Sequence, residues 1–386
     1  MTLSTILCIK DLEEAANSVL NKTVREYFND GSEAGTALAE NISAFDRYKI
    51  RPRILRDVSR LKIQQDGIFG STAAFPLVIA PSGMQCMAHP DGEKATARAA
   101  ARAAVPMAVS TYSTTSLEDV KRAGDEASPK NTYMLQLYIF KDRALTENLV
   151  RRAERAGYKA VMLTCDTPRL GNRYNMSRNN FKMPPHLRLP NFGTSEVSPM
   201  IQHVVKEPEQ FPDNSSGSEP DDALTWENSL LWLRSITNMD IWLKGVSTAE
   251  DVELAASSPA KVTGIVVSNH GGRQLESALP TLDSLPECVR AARQSSKYRM
   301  QVWVDGGIRR GSDIFKAIAL GADGVMIGRI PLWGLAVGGE DGVAKALSIL
   351  RAEFEHTMAL AGCRTLADIQ SSSLARRDTQ GFYARL

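Results

Sequence analysis

Cysteine is scarce and scattered. Cys8, Cys86, Cys165, Cys288 and Cys363 are odd in number and form no CxxC pair. That spacing argues against a disulfide framework or a thiolate zinc site and points to a reducing compartment. The five histidines show no metal-ligand spacing, so no metal is expected. No run of eighteen apolar residues exists, so no membrane span is expected. Met1-Thr2-Leu3-Ser4-Thr5 has no charged start followed by an apolar stretch, so no secretory leader is expected. An excess of one charge is also missing. Lysine plus arginine number 46 against 44 acidic residues, which disfavours a nucleic-acid partner held by bulk charge but allows a local cationic pocket. Finally, no GxGxxG follows the first predicted strand, which counts against an open doubly wound sheet.

What is present is alternation. Apolar residues make up 43% of the 386, enough for a large core. Strand-like runs lie at Phe75–Pro81, Val105–Thr111, Asn131–Ile139, Lys159–Pro168, Asp240–Gly245, Thr263–Gly271, Gln301–Gly307 and Gly324–Arg329. Amphipathic stretches follow at Asp91–Ala104, Ser116–Gly124, Arg143–Gly157, Trp226–Thr237, Thr248–Ser258, Ser284–Ser295, Gly311–Gly321 and Asp341–Ala361. Eight strand–helix units in series predict a parallel sheet closed into a TIM (β/α)8 barrel. The chain is therefore expected to be one domain, residues 1–386, although length alone suggests two or three. Helices at Leu12–Asn29 and Ala34–Phe45 and a basic run, Tyr48–Arg56, make residues 1–60 an N-terminal helical cap over one mouth. A long loop after strand four, residues 171–224, holds Pro184-Pro185, Pro190, Pro199 and the polar Asp213–Ser218. It is expected to be a lid or insert, poorly ordered near 195–222.

Barrel enzymes work at the C-terminal ends of their strands. Those ends carry Ser82-Gly83, Ser110-Thr111-Tyr112, Gln136 and Tyr138, Thr164-Cys165-Asp166 with Arg173 beyond, Lys244, Ser268-Asn269-His270-Gly271-Gly272-Arg273, Asp305-Gly306-Gly307 with Arg309, and Gly328-Arg329. Glycines and arginines after strands seven and eight predict a phosphate site, with backbone N–H groups and helix N-termini facing the anion. His270 is the one histidine at a predicted strand end, where an imidazole suits proton abstraction. Arg273 can grip a carboxylate beside it. Asp166 can orient and charge-stabilise His270. Lys244 either holds negative charge on a reduced ring system or serves as a Schiff-base amine, which would make the chain a lyase.

Ser268–Leu275 (SNHGGRQL), Asp305–Ala317 (DGGIRRGSDIFKA), Asp166–Gly171 (DTPRLG), Thr248–Asp251 (TAED) and Ala88–Glu93 (AHPDGE) resemble the FMN-dependent 2-hydroxy-acid oxidases and dehydrogenases, most closely the glycolate oxidase type. The resemblance runs from about Tyr27 to Ile369. It implies oxidation of an (S)-2-hydroxy acid to the 2-oxo acid with FMN as cofactor and O2 reduced to H2O2. His270 would be the base paired with Asp166, and Tyr138 would contact the substrate hydroxyl. Arg173, Arg273 and Tyr27 would bind the carboxylate, with Tyr112 in the pocket wall. Ser82, Gly83, Ser110, Gln136, Thr164, Lys244, Ser268, Asp305, Gly306, Gly307, Arg309, Gly328 and Arg329 would hold FMN, with Lys244 beside the N1–O2 edge.

Two departures bear on the substrate. Gly83 stands where glycolate oxidases carry alanine, and Tyr112 where they often carry tryptophan. Both permit a substrate larger or more polar than glycolate. Gly83 also keeps a dehydrogenase or monooxygenase variant open, though O2 is the default acceptor because no haem domain precedes the barrel. Ala384-Arg385-Leu386 resembles a small–basic–Leu peroxisomal address. The resemblance further implies a homo-oligomer, tetramer or octamer.

Overall fold

The computed structural model describes residues 2–68, 71–192, 219–294, 299–377 and 383–386. Eight parallel strands close on themselves: Leu77–Ile79, Met107–Val109, Tyr133–Leu137, Ala160–Thr164, Asp240–Val246, Val262–Val267, Gln301–Val304 and Gly324–Ile327. Each lies inside or within one residue of an expected run, and each pairs with the next in chain order. The ring closes where Val325, Met326 and Ile327 register against Leu77, Val78 and Ile79. The expected TIM barrel is therefore the fold.

Strand residues alternate between two apolar environments, because side chains change face with every residue. Val78, Ala108, Met134, Met162, Trp242, Val266, Trp303 and Met326 form one cluster, the barrel interior. Their neighbours, such as Leu77, Ile79, Leu135, Leu163 and Ile265, pack outward against the helices. Trp242 and Trp303 meet edge to face, 6.3 Å between ring centroids. Each indole lies over a glycine on the next strand. A Cβ on Gly264 would come 2.5 Å from Trp242, and one on Gly324 would come 2.5 Å from Trp303. Size complementarity thus fixes these glycines, with no positive φ involved. Gly264→Ala is expected to cost roughly 1–3 kcal/mol by overpacking. Thermal melting checks this; an unchanged midpoint would mean that the barrel interior has slack.

Helix starts follow the capping residues. Ser116 accepts from Asp119 N at 3.1 Å ahead of Leu117–Ala127, and Asp142 accepts from Ala144 N and Leu145 N ahead of Arg143–Arg155. Two expected boundaries move. The stretch Leu12–Asn29 is two helices, Ile9–Val19 and Lys22–Asn29, because the Asn21 side chain accepts from Val24 N and starts a new helix. The last helix begins at Arg329, directly after the eighth strand, and bends at Gly338 and Gly339 before continuing to Ala361. Two glycines with non-helical backbone hid its first turns from a periodicity reading.

Part of the N-terminal segment lies against the C-terminal strand ends. Ser32 N donates to Gly272 O at 2.8 Å, and Glu276 accepts from Thr36 N at 2.9 Å. Tyr48–Ile50 leaves the mouth and pairs antiparallel with Leu374–Arg377. The expected disorder near 195–222 falls mostly on residues 193–218, which lie outside the described residues. No described helix is long and apolar enough to cross a membrane.

Candidate active site

The C-terminal strand ends open on one cavity. Eighteen of the twenty residues singled out from the sequence line it; the two exceptions, Asp166 and Ser268, stand directly behind it. His270 and Lys244 explain their placement. His270 Nδ1 lies 2.9 Å from Asp166 Oδ1, and Lys244 Nζ donates to Ser268 Oγ at 3.0 Å.

His270 takes a left-handed backbone, φ 58°, followed by Gly271 and Gly272 at 64° and 75°. Three successive residues in that region turn the chain sharply and aim the imidazole across the mouth. Burial lowers the His270 pKa below its usual value, with Lys244 and Arg173 adding to the shift and Asp166 opposing it. Burial raises Asp166, but His270, Lys244 and Thr167 outweigh that and hold its carboxylate below the usual range. The pair is therefore neutral imidazole beside ionised carboxylate. An ionised carboxylate only accepts, so Nδ1 carries the proton and Nε2 is the free acceptor.

Four arginines, Arg173, Arg273, Arg309 and Arg329, line the same cavity. Arg273 NH1 donates to the carbonyls of Tyr27, Phe28 and Asp30 and lies over the Tyr27 ring. Arg329 donates to Phe28 O, Gly271 O and Asp30 O. Arg309 stacks on Trp333, and its Nε lies 3.9 Å from Glu13 Oε2. Arg173 is buried; its Nε has no partner, and its NH1 makes a weak contact to the Met176 sulfur at 3.7 Å. Burial and the neighbouring Arg273 pull the Arg173 pKa down to about 9, so it remains a cation at neutral pH. Backbone carbonyls thus position Arg273 and Arg329 without neutralising them, and Arg173 has no counter-charge beside it. Positive charge left in this state calls for anionic ligands.

Lys244 meets an acid that its sequence neighbourhood did not show: Asp305 Oδ2, 3.2 Å away. Burial lowers the lysine pKa, but Asp305 and Asp166 overcome it and raise the value. A firmly charged ammonium is not a Schiff-base nucleophile, which removes the lyase reading. Asp305 Oδ1 is buried with no hydrogen-bond partner. That orphan acceptor, facing a cavity, fits the hydroxyl of a polyol chain such as the ribityl group of FMN. Past it, Gly306 and Gly307 have positive φ, and the helix starting at Arg329 turns its N-terminus to the same end. These features fit a phosphate. Across the mouth, Gln136 accepts from Thr111 N at 3.1 Å and donates to Thr164 Oγ at 3.0 Å, while Ser110 Oγ lies 3.4 Å from its carbonyl. This polar line, crossing strands two to four, matches the edge of a flat heteroaromatic ring. The residues present fit FMN.

Gly83 and Tyr112, separate departures in the sequence, are one packing unit. A Cβ on Gly83 would lie 3.0 Å from Tyr112 O and 3.3 Å from Tyr112 Cβ. The sequence reading missed part of the lining: Leu170, Met176 and Phe181 line the cavity, and Phe181 stacks on Tyr27 at 4.6 Å. Apolar residues just after strand four were the available signal, but they sit in an insert where no periodicity says which way they face. Asn41, on the N-terminal segment, was missed as well.

A closed barrel with a histidine–aspartate pair, positive-φ glycines and spare cations at its C-terminal mouth fits a flavin-type barrel oxidoreductase. The FMN-dependent dehydrogenase family model matches residues 16–376. The chain is 46% identical to glycolate oxidase 3 of Oryza sativa subsp. indica over 95% of both proteins. It is 41% identical to 2-hydroxyacid oxidase 1 of Mus musculus over 96% of both. Among solved structures, mandelate oxidase superposes with a TM-score of 0.84 at 37% identity, covering 96% of this chain and 98% of that one. The chain belongs to the FMN-dependent dehydrogenase family. It is an FMN-dependent 2-hydroxy-acid oxidase.

Proposed function

We propose that the chain oxidises an (S)-2-hydroxy acid larger than glycolate, with His270 as the base and Arg173 and Arg273 as the carboxylate grip. The balanced reaction is R–CH(OH)–COO⁻ + O2 → R–CO–COO⁻ + H2O2. The observation that carries this reading is the His270–Asp166 pair facing the same cavity as two buried, unneutralised guanidinium groups. FMN, when bound, would supply the two-electron redox chemistry that links the substrate to O2.

Arg173 and Arg273 orient the substrate carboxylate, with Tyr27 beside them. The Tyr138 hydroxyl, whose pKa burial pushes up, stays protonated and donates to the substrate oxygen. His270 Nε2 takes the proton that the substrate releases as it is oxidised, and Asp166 stabilises the imidazolium so formed. Lys244, Ser110, Gln136 and Thr164 would hold the flavin ring, while Ser82, Gly83 and Ser268 would support it. Asp305, Gly306, Gly307, Arg309, Gly328 and Arg329 hold the ribityl phosphate.

The substrate size follows from the wall. The apolar Met176, Phe181 and Leu170 suit an alkyl or aryl substituent. We read residues 1–386 as one functional domain, Ala384-Arg385-Leu386 as a peroxisomal address, and the assembly as a tetramer or octamer. The exposed side chains of residues 384–386 suit a receptor-read signal.

The test is an anaerobic titration of the yellow holoenzyme with glycolate, (S)-lactate, (S)-2-hydroxyoctanoate and (S)-mandelate. Bleaching of the flavin band is expected, with kcat/KM for the octanoate or mandelate at least about tenfold above glycolate, a difference of about 1.4 kcal/mol. Preference for glycolate would overturn the size reading. A reduced flavin that persists for minutes in air would overturn O2 as acceptor.

A further inference from the structure

We propose that Asn41, on the N-terminal cap, is a positioning residue that holds His270 and the FMN phosphate loop in register through a reciprocal amide pair with Asn269. The proposal rests on His270 being the base.

Asn41 lies on the short helix Thr36–Ser43 and is fully buried. Its Nδ2 donates to Asn269 Oδ1 at 2.8 Å, and its Oδ1 accepts from Asn269 Nδ2 at 2.9 Å. Asn269 is the residue before His270. Its Oδ1 also accepts from Gly272 N at 3.0 Å, and its Nδ2 also donates to Leu279 O at 3.2 Å. Asn269 therefore staples both ends of the left-handed run His270-Gly271-Gly272. A non-glycine residue with φ 58° persists only where its surroundings over-determine it. On the other side of His270, Ser268 Oγ accepts from His270 N at 3.0 Å and from Lys244. Lys244 anchors one side of the turn and Asn41 the other.

The same residue reaches the seventh-strand loop. Asn41 Oδ1 accepts from Thr281 N at 3.2 Å, and Thr281 Oγ1 donates to Asp305 O at 2.5 Å. A Cβ on Gly307 would sit 1.9 Å from the Asn41 backbone carbonyl oxygen, so only glycine lets this loop pass the cap helix. One on Gly306 would sit 3.1 Å from Asn41 Nδ2. A single buried amide, from an element outside the barrel, thus touches the turn that presents the base and the loop that cradles the phosphate. Its neighbours on the cap helix divide those contacts: Leu38 packs against Gly272 of the turn, and the Ile42 backbone lies against Gly307 of the loop.

An amide suits this place because the pair is reciprocal. Each partner donates once and accepts once, which only two amides in opposed orientation satisfy. Asn41→Asp keeps the shape but replaces the donor to Asn269 Oδ1 with a second acceptor. The expected results are a kcat reduced about 10- to 100-fold, a substrate KM within about threefold of wild type, and FMN affinity of the apoprotein, read by fluorescence quenching, weakened about tenfold. The decisive comparison is a double-mutant cycle. If Asn41 works through His270, Asn41→Asp in the His270→Asn background lowers kcat by less than about threefold. A generally loosened fold would cost the same factor in both backgrounds. Equal losses, or wild-type kcat with wild-type FMN affinity, would overturn the proposal. If His270→Asn itself runs at full rate, the base assignment has failed instead. Asn41→Ser, which retains one hydroxyl donor, is measured alongside. If neither variant yields folded, FMN-binding protein, Asn41 is a folding element and the positioning role is refuted.

Discussion

Replacing His270 by Asn is expected to lower kcat roughly 10²–10⁴-fold, about 3–5 kcal/mol of transition-state stabilisation, while the protein stays yellow. Asparagine fills a similar volume and hydrogen-bonds Asp166, so the cavity keeps its shape and the flavin its contacts. Only the proton acceptor is lost. Stopped-flow reduction under argon measures this step in isolation. Flavin reduction at the wild-type rate in the variant would end the base assignment. The pH profile supplies a second reading. His270 must be neutral to act, and burial lowers its pKa below its ordinary value. The acid limb of kcat/KM is therefore expected below pH 6.5, with activity rising through it and flat above. Asp166 raises the His270 pKa. In Asp166→Asn the limb shifts further acid, while the plateau falls because the imidazolium loses its counter-charge. An unmoved limb in that variant would show that the two groups are not coupled.

Arg173→Met is expected to cut kcat/KM at least about 10²-fold, since losing a buried charge-assisted contact to a carboxylate costs on the order of 3 kcal/mol. The loss should fall mainly on KM, because the carboxylate is held equally before and during the reaction. Arg173→Lys should be intermediate, retaining charge without the fork. Stability should move the opposite way. Arg173 is buried near Arg273 with an unpartnered Nε, so the protein without substrate is strained by its own binding site. Arg173→Met should melt no lower than wild type without substrate, and a substrate analogue should raise the wild-type midpoint more than the variant's. A KM within twofold of wild type would show that the carboxylate binds elsewhere.

Much of this site was legible because barrel topology sends every strand end to one face. Once the eight runs were counted, Ser110, Gln136, Thr164, Lys244, His270, Asp305 and Arg329 had to converge, whatever their separation in the chain. Partnerships were less legible. Lys244 had no acid near it in sequence, yet Asp305, two strands on, raises its pKa and closes the lyase reading. Gly83 and Tyr112 looked like separate departures until a missing methyl and a tyrosine backbone proved to share the same space. Asn41 gave only a weak signal, a polar residue on the buried side of a cap helix. Its meaning depends on where that helix docks.

The amino-acid order alone determined the number of strand–helix units, the barrel they close and the chemical types gathered at its mouth, since these follow from local periodicity and a fixed closure rule. Tertiary structure decided the charge states, the pairings and the aim of each group. Those depend on distance, burial and counter-charge between residues far apart in the chain, and no local pattern encodes them.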